Sequence, residues 1–379
     1  MTKKIPLDWY FSEEMCSIEK NLLFSMPQYR GHISMVPRKD DYRALSLTGN
    51  TELLIHNENG IEILSNLCRH RQAIMLTGQG NQKSIVCPAH CWRYNTQGQL
   101  VNAPYFKENP NLPLKKISHT SWNGLLFSSH EDVASHIDSI YLNERMDFSS
   151  YAFHASETQT CDYNWKTFIE TYLEIYHVKL IHPGLRQYID CDYISWEFGA
   201  LYSSQMVRPH ASWQTKSGSD IHQQWQDLLV ELQQGKELAF GAEWMMYYPN
   251  TMIEHYPHAL VVSIVSPESP DRCFNHIDFY HPKELIESNH PYCKAFQDAY
   301  LETATEDDVI CKKMDQGRKA CKGDAAAETG PFQSPLEDGI AHFHQYWIKA
   351  VENSLNRGPY ILPRDSCSHD GGISLGIAV

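Results

Sequence analysis

Residues 67–94 read "LCRHRQAIMLTGQGNQKSIVCPAHCWRY", and this stretch decides the fold. It carries Cys68 and His70 as C-x-H, then Cys87 and His90 as C-x-x-H. Two thiols and two imidazoles in such short pairs rarely fall together by chance, and both are metal ligands. A structural zinc site would accept this Cys2His2 set, but zinc fingers pair Cys with Cys and His with His. Here each pair mixes one of each. The mixture suits a two-iron cluster in which one iron takes both thiolates and the other both imidazoles.

Outward from the ligands, residues 31–150 read as short strands joined by turns. "TELLIHNENGIEILSNLC" (51–68) sets two apolar runs on either side of Asn59-Gly60, a hairpin signal. "SIVCPAHCWRYNTQGQLVNAPYF" (84–106) repeats the pattern with a turn at Gln97-Gly98. An all-β module is expected over 40–150, with one loop for each half of the Cys/His set.

The texture changes near residue 150. "NWKTFIETYLEIYHVKLIHPGL" (164–185) has helical apolar spacing and a stop at Pro183-Gly184. It contains His177 and His182, whose side chains would point about 140° apart on a regular helix. His182 sits where the helix must end, free to swing back toward His177. Taken alone, H-x4-H reads by default as two unrelated surface histidines. A polar helix is expected over 218–236. Three strand-like runs follow, "AEWMMYYPNTMIEHY", "ALVVSIVSP" and "CFNHIDFYHP", and then helices over 283–320 and at "HFHQYWIKAVENSL". The predicted class is α+β. An N-terminal segment (1–39) packs on a second domain (151–379) built on an antiparallel sheet, with the β module (40–150) between them.

Bulk numbers narrow the function. The chain has 379 residues, 42% hydrophobic and 21% charged, with a formal net charge of -14. Phosphate binding needs a basic face, so nucleic acid is excluded as a partner, and an anionic membrane surface is disfavoured. A basic or neutral partner fits. The start, "MTKKIPLDWYFSEEMCSIEK", has no apolar core segment and no cleavage site of a secretory signal. The longest apolar runs are far short of a membrane span. Eleven cysteines, an odd number without a repeat, suit reduced thiols in the cytoplasm.

C-R-H-R at 68–71 and C-P-x-H-x-W-x-Y at 87–94 resemble the Rieske [2Fe–2S] domain of ring-hydroxylating oxygenases. Ala89 and Cys91 depart from that pattern, standing where the family usually has Tyr and Gly. Cys91 is read as a small buried residue beside the cluster loop. N-W-K followed by E-x-Y-H-x4-H-P resembles the mononuclear iron motif of the same family, and the resemblance covers nearly the whole chain, to about residue 340. It implies an all-β Rieske domain plus a helix-grip, START-like catalytic domain. It also implies a 2-His-1-carboxylate site for Fe(II) at His177, His182 and Asp307, the last from "TATEDDVICKKMDQGRKA" (303–320) with Asp308 as the fallback. By the same resemblance Glu174 bridges an iron histidine to a cluster histidine. Glu rather than Asp there is similar to the choline, betaine and carnitine branch.

The implied activity is that of a terminal oxygenase. Electrons come from a flavin reductase, with or without a ferredoxin, and O2 is used to hydroxylate or demethylate a small organic substrate. A homotrimer is the family's usual assembly. An aromatic-ring dioxygenase and a pure Rieske electron carrier are the competing readings. Trp244, Met246, Tyr248 and Tyr256 are candidate pocket walls, and Arg186 or Arg208 could meet an acidic substrate. None of these names the substrate.

Overall fold

The computed structural model describes residues 3–137, 139–215, 217–324 and 329–356. The second domain was expected to run to residue 379, so its last stretch, 357–379, lies outside the described residues.

The β module is built of small antiparallel sheets. One has five strands in the order Gln79–Asn81, Asp41–Ala44, Glu52–Asn57, Gly60–Ser65 and Lys116–Ile117. Its central hairpin turns at Asn59-Gly60, where Gly60 has φ +104°, a left-handed value that glycine adopts without strain. A three-stranded sheet of Ser84–Val86, Arg93–Asn95 and Leu100–Asn102 carries the second Cys/His loop. A further sheet pairs Gln28–His32 with Leu125–Ser128, and that strand with His119–Trp122. An expected start at residue 40 leaves the Gln28–His32 strand outside the module it pairs with. The 28–32 strand is held by ladder hydrogen bonds to the module, while the helix Glu13–Ser25 before it packs on the second domain.

The second domain is a seven-stranded antiparallel sheet. Its order is Tyr151–Cys161, Arg272–Pro282, Ala259–Ser269, Thr251–Tyr256, Ala242–Tyr247, Tyr202–Pro209 and Ile189–Phe198. The sheet has more strands than the three apolar runs predict. "AEWMMYYPNTMIEHY" folds back at Pro249-Asn250 into two paired strands, and the half-polar strands 151–161, 189–198 and 202–209 gave no clear apolar signal.

Strand periodicity sorts this sheet into two faces. Met245, Tyr247, Ile253, Val262 and Tyr280 pack against Tyr29, Val36, Leu54 and Trp122 of the β module in one shared core. Their neighbours Trp244, Tyr256, Val261, Ile277 and Phe279 face the helices. The 29-residue helix Tyr292–Ala320 lies over this face and inserts Tyr292, Ala295, Phe296 and Ala299. Farther along the same face, Met246, Tyr248 and Met252 are covered by the N-terminal helix, by Trp165 and by Trp347 of the helix Asp338–Asn356. Lys166 and Glu19 form an ion pair at 2.9 Å inside that cluster. Among the described residues no helix is long and apolar enough to cross a membrane.

Candidate metal centres and substrate pocket

The four residues of the opening stretch converge on two loops of matching design. In the first, the Cys68 N–H donates to Ala73 O at 2.9 Å and the Gln72 N–H to Cys68 O at 2.9 Å. In the second, the Cys87 N–H donates to Trp92 O at 2.8 Å and the Cys91 N–H to Cys87 O at 3.0 Å. Gln72 and Cys91 occupy equivalent corners and are both left-handed, with φ +54° and +57°. That conformation explains why glycine is the usual residue at the Cys91 corner. Cys91 is exposed, which corrects the reading of it as buried: the corner turns its side chain out to solvent.

Cys68 and Cys87 are each 1% exposed, and burial pushes the Cys87 thiol pKa up. The Tyr94 hydroxyl lies 3.6 Å from the Cys68 sulfur and accepts from the Arg69 N–H. The imidazoles lie on the outer side. His90 is exposed, and the two rings sit 4.7 Å apart, with His70 stacked on Trp92 at 5.1 Å. His70 Nδ1 is buried without a hydrogen-bond partner, as a nitrogen kept for a metal would be. Two dry thiols behind two outward imidazoles fit a cluster with one thiolate-bound and one imidazole-bound iron.

The second centre forms where the helix Trp165–Tyr172 breaks. The apolar spacing predicts one helix through to Pro183; instead the chain turns at Leu173 and resumes only as the short helix Val178–Ile181. The break is what brings the histidines together. Glu174 takes the backbone N–H of His177 at 3.1 Å and also hydrogen-bonds its Nδ1. His182 ends the short helix with non-helical φ -109° and ψ 86°. Gly184 has an ordinary φ of -74°, so its role is not a left-handed stop. A Cβ there would lie 2.3 Å from the His222 ring, and only glycine fits.

Three donor atoms now face one point. His177 Nε2 and His182 Nε2 are 3.0 Å apart, and Asp307 Oδ1 lies 3.2 Å from the first and 2.9 Å from the second. Neighbouring octahedral ligands at about 2.1 Å from one ion are about 3.0 Å apart, so the triangle fits three positions on one face of an ion. Asp308, one residue on, points to Lys312 at 2.7 Å. Burial opposes charging His177, but hydrogen bonds to Asp307 and Glu174 outweigh it and raise its pKa to about 10. Desolvation pushes the Asp307 pKa up, but hydrogen bonds to the two imidazoles outweigh that effect and lower it.

Glu306 was missed from the sequence. Its carboxylate lies 2.7 Å from His182 Nδ1, the counterpart of Glu174 on His177. Each histidine thus has its Nδ1 held by a glutamate and its Nε2 free for metal. In "TEDD" nothing distinguishes one acidic residue from the next without the helix phase.

The three donors line a cavity between the sheet and the 29-residue helix. Trp244 and Tyr256 line it as expected, while Met246 and Tyr248 stand farther along the face under the terminal helices. Neither arginine candidate reaches it: Arg208 stacks on Tyr193 and Arg186 donates to Lys179 O. Glu254, another residue that sequence reasoning missed, is 4% exposed in the cavity wall.

The comparisons agree with this architecture. Residues 27–117 match the Rieske [2Fe-2S] domain, and residues 148–353 match the ring hydroxylating alpha subunit catalytic domain. Putrescine 2-hydroxylase of Ralstonia nicotianae is 43% identical, covering 92% of this chain and 96% of that one. Choline monooxygenase of Beta vulgaris is 26% identical, covering 89% and 75%. Among solved structures, the quaternary ammonium Rieske monooxygenase CntA superposes with TM-score 0.72 at 18% identity, covering 93% of this chain and 99% of that one. With both domain signatures and a close full-length relative, the chain belongs to the Rieske non-haem iron oxygenases, as a catalytic subunit carrying a [2Fe–2S] cluster and a mononuclear iron.

Proposed function

We propose that this oxygenase hydroxylates a short aliphatic diamine, putrescine or a near homologue. Its iron ligands are His177, His182 and Asp307, and its cluster ligands are Cys68, His70, Cys87 and His90. The observation that carries the substrate is the 43% identity, over 92% of the chain, with a putrescine 2-hydroxylase, against 26% for a choline monooxygenase. The donor triangle supports the iron ligands, and the paired loops with an unpartnered His70 Nδ1 support the cluster ligands.

When bound, the cluster supplies single electrons and the mononuclear iron activates O2 for insertion into a C–H bond. The chain's own residues do the positioning. Two imidazoles and one carboxylate on one side leave the cavity side open. Glu174 and Glu306 fix ring orientation and tautomer, and the aromatic walls keep bulk water away. Glu174 already engages His177; in this reading it also accepts from a cluster histidine of a neighbouring protomer, as in a homotrimer. Exposed Tyr176 and Leu180 beside it, and exposed Tyr105 and Phe106 beside the cluster loops, suit a protein contact at each end of that link. A flavin reductase, directly or through a ferredoxin, completes the system in the cytoplasm, where its unpaired thiols stay reduced.

The test is a single turnover of reduced holoenzyme with O2 and putrescine, followed by mass analysis. The expected product is one oxygen heavier and hydroxylated on carbon. Choline, carnitine and aromatic acids serve as competitors. Turnover of one of these with none of putrescine would overturn the reading.

A further inference from the structure

Seven carboxylates are buried among the described residues, and six have a basic side chain beside them. Glu19 has Lys166, Asp41 has Arg38, Glu170 has Arg318 and His344, and Glu243 has Arg145. Asp278 has His276 at 3.2 Å, and Asp315 has Lys319 at 2.9 Å. Glu254 alone among them has none. Its oxygens accept only from phenols, Tyr300 at 2.7 Å and Tyr256 at 3.1 Å. An unpaired buried carboxylate is costly, and each of the other six has a basic side chain within reach. This exception lines the same cavity as His177, His182 and Asp307.

We propose that the missing cation is the substrate: Glu254 is the counter-ion for one ammonium group of the amine to be hydroxylated. The assignment rests on the amine reading above and adds the residue that selects for it. The phenols are themselves pinned, since Trp244 Nε1 donates to the Tyr256 hydroxyl at 2.8 Å, so the carboxylate is held in place before substrate arrives. Trp244, Tyr256 and Tyr300 also give the site aromatic walls, which attract cations. A purely structural acceptor for two phenol O–H groups would not need a charge. Burial raises the Glu254 pKa to about 7, with only the phenol hydrogen bonds opposing it, and an ammonium supplies the stabilisation that is lacking.

The test uses anaerobic holoenzyme and calorimetric titration with putrescine and with butane-1,4-diol, its uncharged analogue. Glu254→Gln should weaken putrescine binding about thirtyfold or more, as removing one partner of a buried charge pair does. Diol affinity should stay the same or improve. Glu254→Asp, which keeps the charge, should retain more of the putrescine affinity than the Gln variant. Equal losses for diamine and diol would make Glu254 a structural residue and overturn the assignment, as would unchanged putrescine binding in the Gln variant. If wild type takes choline in place of putrescine and Glu254→Gln loses it, the diamine reading falls while the counter-ion role stands. A wild type that binds no amine overturns both.

Discussion

Replacing Glu306 by alanine should loosen the mononuclear iron although no ligand is touched. The carboxylate sits 2.7 Å from His182 Nδ1 and selects the tautomer with Nε2 bare toward Asp307 and His177. The His182 side chain is 1% exposed, so bulk water cannot take over as acceptor. An unpaired buried N–H costs about 1–3 kcal/mol, or about five- to 150-fold in affinity. That range brackets the 10–100-fold typical of losing a group that orients a metal ligand. Glu306→Gln keeps a carbonyl acceptor and loses only the charge, so its loss should be smaller, below about tenfold. The assay is competition for iron with a ferrous chelator, counting iron per chain and using the visible absorbance of the cluster as internal control. Alanine and wild-type proteins within threefold of each other would refute the reasoning, as would parallel loss of the cluster.

Two further substitutions probe the link and the loop. Glu174→Gln should leave both metals bound but slow reoxidation of the reduced cluster by O2 and substrate in stopped flow, because an amide N–H then confronts an imidazole N–H; wild-type reoxidation rates would reduce Glu174 to an ordinary surface acid. Cys91→Gly should stabilise the cluster domain by about 1 kcal/mol by relieving a left-handed non-glycine corner, measured as a higher urea midpoint for loss of visible colour; a lower midpoint would show that the thiol makes a contact worth more than the strain.

The proposed cluster ligands stand out in the sequence because a loop ligand set is local: spacing and residue type nearly suffice. The proposed iron ligands stand out less. His177 and His182 lie on a helical pattern that hides a break at Leu173, and the break is enforced by Glu174 and by tertiary packing rather than by a Pro or Gly at that point. Asp307 could be chosen over Asp308 only by resemblance; the structure separates them by helix phase, one facing the histidines and the other Lys312. Glu254 was invisible for a different reason. On a strand reading "TMIEHY", a lone glutamate looks like a solvated position, and only the seven-stranded sheet and its covering helix reveal that it is buried without a cation. Gly184 likewise read as a helix stop, whereas what requires it is the His222 ring, distant in sequence.

The most direct test of the two-centre assignment is iron and acid-labile sulfide counted per chain in wild type, Asp307→Ala and Asp308→Ala, with the visible spectrum of each. Two cluster irons and one mononuclear iron require about three irons and two sulfides in wild type. The Asp307 variant should keep its sulfide and its spectrum and lose one iron, while the Asp308 variant should match wild type. An Asp307 variant that keeps all three irons, or an Asp308 variant that loses one, would contradict the account.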